Sequence, residues 1–162
     1  MEIFKRTRQN HAIEHGTVAV LLERGAHTPL AGNATPVGFF IYGYLAGEDV
    51  RSAADEALRR MQAGERELAV SPYCGTNLVV GALLAGVLSG IILGKSRGRL
   101  KRMPVAMGAI LVSTLLGRPL GSIIQQRYTT LAHVDDIQIT GISTLRIGRF
   151  AIHRLKTSRE PG

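Results

Sequence analysis

Cys74-Gly-Thr-Asn-Leu-Val-Val-Gly-Ala-Leu-Leu-Ala-Gly-Val-Leu-Ser-Gly-Ile-Ile-Leu-Gly94 carries no charged side chain along its whole length. Coiled as an α-helix, it is about 30 Å long, the thickness of a bilayer's hydrocarbon core. The charge-free run reaches back to Leu68. Five cations follow it closely: Lys95, Arg97, Arg99, Lys101 and Arg102. A second apolar run opens at Met103-Pro104, where proline suits a first helical turn, and extends to Gly117. After Arg118-Pro119 it resumes as Leu120-Gly-Ser-Ile-Ile124. The pattern predicts two transmembrane helices over residues 74–126, joined by a tight basic turn at 95–102.

Small residues recur at every fourth position in both runs. The first has Ala82, Gly86, Gly90 and Gly94; the second has Ala109, Ser113, Gly117 and Gly121. One such seam per helix lets two backbones approach closely, which is how helices associate in lipid. In a water-soluble core the same glycines would cost on the order of 1 kcal/mol each. Arg118 leaves only about 22 Å of clean apolar helix before it, so its side chain is read as snorkelling to the far interface.

Working outward, the charge balance agrees with this partition. The 162 residues carry a net +8, from 20 Lys/Arg against 12 Asp/Glu. Residues 68–134 contain seven of the cations and no acid, and they are also the most apolar part of the chain. A nucleic-acid binder would interleave its cations with polar and stacking residues, so nucleic acid is excluded as a partner. Disorder is excluded by the apolar content. The partner implied is the lipid bilayer, with anionic headgroups at the five cations of the turn. A homo-oligomer is compatible with the pattern. The localisation read from it is integral to a membrane. The basic turn favours the cytoplasmic side, although a long polar N-terminal segment weakens that rule.

The flanks read as one small α/β domain built from both chain ends, residues 1–73 and 127–162. The fold class expected is therefore α+β, a mixed sheet with helices plus the two-helix hairpin. Met1–Gln9 shows no signal-peptide pattern. Asn10 is placed to cap a helix from His11 to Arg24, with Gly25 ending it. Residues 26–46 suggest a turn and then one aromatic strand around Gly38-Phe-Phe-Ile-Tyr-Gly43. Asp49 is expected to cap a second helix through Gln62, burying Ala53, Ala54, Ala57, Leu58 and Met61, with Gly64 beyond its end. Glu67–Val70 is a candidate strand. Alternation over Ile137–Ile152 predicts three short strands broken at Gly141 and Gly148.

One motif on the first helix carries chemistry. In His11-Ala-Ile-Glu14-His15 the two histidines lie one turn apart on one face, so both imidazoles can reach a single ion. Glu14 borders that face. Zinc accepts imidazole nitrogens, leaves a position open and activates water near neutral pH, and a carboxylate beside it can take the proton. The expected site is thus metal at His11 and His15, Glu14 as general base, and a third ligand from elsewhere. Asp55, Glu56, Glu65, Glu67 and His133 are within the pool, and His153 is preferred, since it falls on the strand face opposite Phe150 and Ile152. The alternative is a non-catalytic membrane protein whose histidines bind metal structurally or bind none. Cys74, the sole cysteine, excludes an intrachain disulfide. It reads either as a further thiolate ligand or as a packing residue at the membrane entry.

The motif resembles the inverted zinc motif of inverzincin metallopeptidases. That resemblance implies His11 and His15 as ligands, Glu14 as base, and a hydrolase, perhaps a peptidase. The chain also resembles an uncharacterised bacterial membrane family in its Asn10–His15 stretch, its Glu56-Ala57-Leu58 segment and its Cys74–Leu78 entry turn. Gln126–Thr130 and His153 add to the likeness. It implies a membrane location and supplies no activity.

Overall fold

The computed structural model describes residues 2–27, 29–94 and 99–159, the side chain of residue 99 excepted. Two compact units result, Met1–Ser71 with Gln126–Gly162, and Pro72–Gln125.

The first unit opens with α1 (Glu2–Glu23) and the hairpin β1 (Leu30–Thr35) and β2 (Gly38–Gly43). Next come α2 (Gly47–Gln62) and a 3-10 turn over Arg66–Ala69. After the second unit, a π-helical turn (Gln125–Thr129) leads into β3 (Ile137–Ile147) and β4 (Phe150–Arg159). The sheet order is β1-β2-β4-β3, and every pairing is antiparallel. Joining β2 to β4 stitches the two chain ends into one α+β fold. The expected mixed sheet is thus corrected to an antiparallel one, because each connection here is a tight hairpin or a long excursion, not a parallel crossover.

The inner sheet face buries Phe39, Ile41 and Leu155 against Ile13, Leu21 and Val50 of the helices. Helix α2 buries Val50 and the five residues anticipated for its apolar stripe. Its cap is Ala46, with no side-chain hydrogen bond, while Glu48 and Asp49 lie in the first turn and offset the dipole. Helix α1 begins well before the expected start. Asn10 does not cap it: its amide donates to the Thr35 carbonyl and its oxygen accepts from the Thr157 hydroxyl, so a buried mid-helix residue ties together β1 and β4. Gly25, at φ +84°, closes α1, with the Gly25 and Ala26 amides donating to the Leu22 and Leu21 carbonyls.

Three strand expectations change. Leu30–Thr35, which lacks alternation, is a strand held by pairing to β2. Glu67–Val70 is not a strand; the 3-10 turn leaves the Ala69 carbonyl available to a side chain. The C-terminal segment makes two strands, since β3 absorbs Gly141 in a register irregularity and only Gly148 turns the chain.

The second unit is an antiparallel pair, α3 (Gly75–Gly94) and α4 (Arg99–Ile124). Positions 95–98, which include Lys95 and Arg97 of the expected headgroup-binding turn, lie outside the described residues. Both helices are long and apolar enough to cross a membrane. The seam on α4 is as anticipated at Ser113, Gly117 and Gly121. The seam on α3 is not: Asn77 and Gly81 face α4, and an added Cβ at Gly86, Gly90 or Gly94 would meet nothing within 4 Å. The cause is Asn77. Its oxygen accepts from Gln125 at 2.8 Å and its amide donates to the Pro72 carbonyl at 3.0 Å. A buried amide satisfied in this way rotates α3 to a different face from the one the glycine repeat suggests. Cys74 lies at the entry to α3, where the Thr76 amide donates to its sulfur at 3.4 Å.

Candidate metal centre

The middle of α1 is largely buried, and many of its buried side chains are polar. Gln9, Asn10, Glu14, His15 and Thr17 are all buried. Most are bound to backbone: Gln9 donates to the His133 carbonyl, and Thr17 donates to the Ile13 carbonyl one turn back. Burial of so many polar groups is sustained only when partners compensate the lost water.

His11 and His15 are held in the same manner. The His15 Nδ1 lies 2.8 Å from the Ala69 carbonyl of the 3-10 turn. The His11 Nδ1 lies 3.0 Å from the Thr129 carbonyl, at the end of the π-helical turn. A carbonyl only accepts, so each Nδ1 must carry the proton, and in the neutral ring the lone pair then sits on Nε2. Arg8 secures the same turn by donating to the Arg127 and Thr130 carbonyls. The rings lie 4.3 Å apart between centroids. Ring nitrogens of the two histidines lie within 4.8 Å of one another, close enough to hold one ion.

Glu14 completes the group. Its Oε2 is 3.8 Å from the His11 Nε2 and 3.9 Å from the His15 Nε2. Those separations exceed hydrogen-bond length and are of the order of the spacing between two ligands of one ion. Burial pushes the Glu14 carboxyl up to about 7, against the charge of His11, which pulls it down. Its carboxylate occupies space that only glycine leaves open: a Cβ on Gly32 would overlap it. The donor set, two backbone-oriented imidazoles and a carboxylate in a glycine-cleared recess, suits a divalent transition metal.

His153 is placed elsewhere. Pairing aligns Gly32, Ile41, His153 and Thr144 in one row across the sheet. His153 therefore stands two strands from Gly32, about 10 Å away, with Ile41 between them. It is fully buried, its Nδ1 is 2.9 Å from the Thr144 hydroxyl, and among the described residues it does not join His11 and His15. Desolvation lowers its pKa, with Arg146 acting in the same sense and the Leu45 backbone opposing. Three of the other candidate carboxylates pair with arginines: Asp55 with Arg51, Glu56 with Arg59 and Glu65 with Arg60. His133 is exposed beside Asp135. The groups unforeseen from sequence are the Ala69 and Thr129 carbonyls and Gly32. The carbonyls leave no side-chain signature, and Gly32 was readable only as a turn residue.

Comparison with known proteins assigns no activity. A family described only as a domain of unknown function, DUF6391, matches residues 6–142. An uncharacterised protein of Picosynechococcus sp. is 40% identical over 92 residues, covering 51% of this chain and 45% of its own length. The chain thus spans less than half the length of that relative. No solved structure matches.

Proposed function

The chain belongs to the DUF6391 family, which carries no activity to inherit, and we propose from the site itself a membrane-anchored, metal-dependent hydrolase. His11 and His15 bind zinc through Nε2, and Glu14 is the general base. The observation that carries this reading is the pair of Nδ1 contacts to backbone carbonyls, which turn both Nε2 atoms toward one carboxylate. Zinc, when bound, supplies Lewis acidity and brings water within reach of deprotonation near neutral pH. Glu14, whose Oε2 lies 3.8 and 3.9 Å from the two Nε2 atoms, accepts the proton at a carboxylate oxygen. The hydrolase assignment rests on this donor chemistry, and a peptide bond is one substrate of the class.

The hairpin is the anchor. Its two helices are of spanning length, and their apolar side chains are left exposed: Leu78, Leu83, Ile91, Val105 and Leu115 are each more than 60% exposed. A soluble core helix would bury such residues, whereas lipid covers them. The positive-inside rule puts the basic turn on the cytoplasmic side.

Metal content of detergent-purified protein tests the site. The native chain should carry about one equivalent of zinc, and His15→Ala should lose it. Equal metal in both ends the reading. His11→Ala gives a second test at a partly exposed position where folding is less at stake. Glu14→Gln separates roles: a base leaves metal in place and abolishes hydrolysis, while loss of metal makes Glu14 a ligand and removes the base.

A further inference from the structure

Within the first unit α1 and α2 pack against one face of the sheet, and among the described residues the other face carries aromatic and aliphatic side chains. Residues there are fixed by alternation, since Ala151, His153 and Leu155 of β4 are buried and their neighbours point outward. Four of the chain's eight Phe and Tyr residues gather on that side: Phe40, Tyr42, Tyr44 and Phe150. Phe40 and Tyr42 stack at 6.2 Å, and Tyr44 meets Phe150 edge-on at 5.8 Å. Beside them, Leu145 and Ile147 of β3 are 61% and 63% exposed, and Tyr44 is 58% exposed. Arg154 lies over the Phe40 ring at 5.9 Å, and Lys156 follows it on the same face. The four described strands carry no Asp or Glu.

We propose that this face docks on an anionic bilayer surface. Tyrosine and phenylalanine with neighbouring aliphatics and cations are the chemistry of the headgroup–acyl boundary. Exposed cations with no acid among the strands complement phosphate headgroups, each adding about 1 kcal/mol near such a surface. A single-stranded nucleic acid fits less well. Bases need open ring faces, and here Phe40 is covered by Arg154 and Tyr42, while Leu145, Ile147 and Ile152 have no π-face to offer. A second copy packed face to face would set two cationic faces with acid-free strands against each other, a like-charge juxtaposition. The inference is independent of the metal site.

The chain has no tryptophan, so Tyr44→Trp provides a single reporter, with Phe150→Trp as a second should the first fold poorly. The full-length variant is held in nanodiscs and then presented with brominated lipid, either in the disc or as added vesicles. With phosphatidylglycerol present, emission should shift to the blue and be quenched about twofold, since docked residues lie about 5–10 Å into the headgroup–acyl boundary. The effect should disappear in pure phosphatidylcholine and in Arg154→Gln/Lys156→Gln. Emission that is unquenched in every lipid, or equally quenched with and without phosphatidylglycerol, overturns the proposal. So does emission that responds only to a single-stranded oligonucleotide or to protein concentration. A chain that stays out of the discs refutes the spanning hairpin instead, and the vesicle arm then judges the sheet face alone.

Discussion

Helices α1 and α3 are nearly equal in length, 22 and 20 residues, and invert each other's logic. The first hides Gln9, Asn10, Glu14 and His15 in its interior. The second is almost wholly apolar, yet buries only Asn77 and Gly81. In water both arrangements cost free energy: polar groups lose hydration in one, and apolar surface stays wet in the other. The two helices differ in what meets those groups. Partners within the fold satisfy α1, whereas the apolar surface of α3 stays exposed, as the proposed bilayer anchor would leave it. Long helices in one chain can thus be read against two solvents, and the buried polar one is where chemistry should be sought.

The largest expected effect lies where α3 does make contact. A Cβ at Gly117 would stand 2.8 Å from the Asn77 carbonyl oxygen and 3.1 Å from the Gly81 Cα, both backbone atoms unable to yield. Gly117→Ile should therefore force the two helices apart and destabilise the hairpin by about 3 kcal/mol or more, at the upper end of overpacking costs. Thermal unfolding in detergent, followed by loss of helix–helix packing, measures it. An unchanged melting profile would mean that the pair is not held at this crossing.

On the α1 side, the corresponding lever is pH. The Glu14 carboxyl titrates at about 7 in the fold and at 4.5 in the unfolded chain. Between those values the folded state retains a proton that the unfolded state has released. The stability from this group is thus complete below pH 4.5 and lost as pH rises through 7. The difference corresponds to about 3 kcal/mol at one pKa unit per 1.36 kcal/mol. Denaturant titrations of metal-stripped protein should show this decline, and Glu14→Gln should flatten it. His153 acts with opposite sign: its lowered pKa means stability is lost as pH falls below 6.5, so His153→Gln should protect the acid limb.

A smaller effect is expected at the recess itself. Gly32→Ala inserts a Cβ into the Glu14 carboxylate and should cost about 2 kcal/mol through overpacking. In a Glu14→Ala background most of that cost should vanish, a coupling above about 1 kcal/mol in a double-mutant cycle. Additive costs would show that Glu14 leaves the recess freely.

Much of this architecture was legible beforehand, and the failures share a cause. The charge-free run, the α2 stripe and the His-x-x-Glu-His spacing are periodic in side-chain chemistry, and each appears where its period placed it. What periodicity cannot assign is sidedness. Alternation along β4 separates Phe150 and Ile152 from His153 correctly, but the inward face is the histidine's. Hydrophobicity alone points the other way, because the aromatic face is outward. The glycine repeat of α3 has the same defect: spacing identifies a seam, and the amide of Asn77 decides which seam is used. The carbonyls that orient His11 and His15 come from backbone at Thr129 and Ala69, which no side-chain pattern encodes.

The smallest effect is the most exacting test of the contrast between the two helices. Gly86 belongs to the repeat that sequence singles out, yet an added Cβ there would meet nothing within 4 Å. Gly86→Leu removes a poor helix former and creates no clash, so the hairpin should be unchanged or stabilised, by no more than about 1 kcal/mol on the helix-propensity scale. The comparison with Gly117→Ile holds the chemistry nearly constant and changes only the face. If Gly86→Leu destabilises as strongly, the face of α3 opposite Asn77 is packed against protein, and lipid is not what covers it. Equal tolerance at both positions would instead dissolve the distinction between a packed and an unpacked side of this helix. A large loss at Gly117 beside a negligible change at Gly86 is the one combination in which Asn77, and not the glycine repeat, sets the rotation of α3.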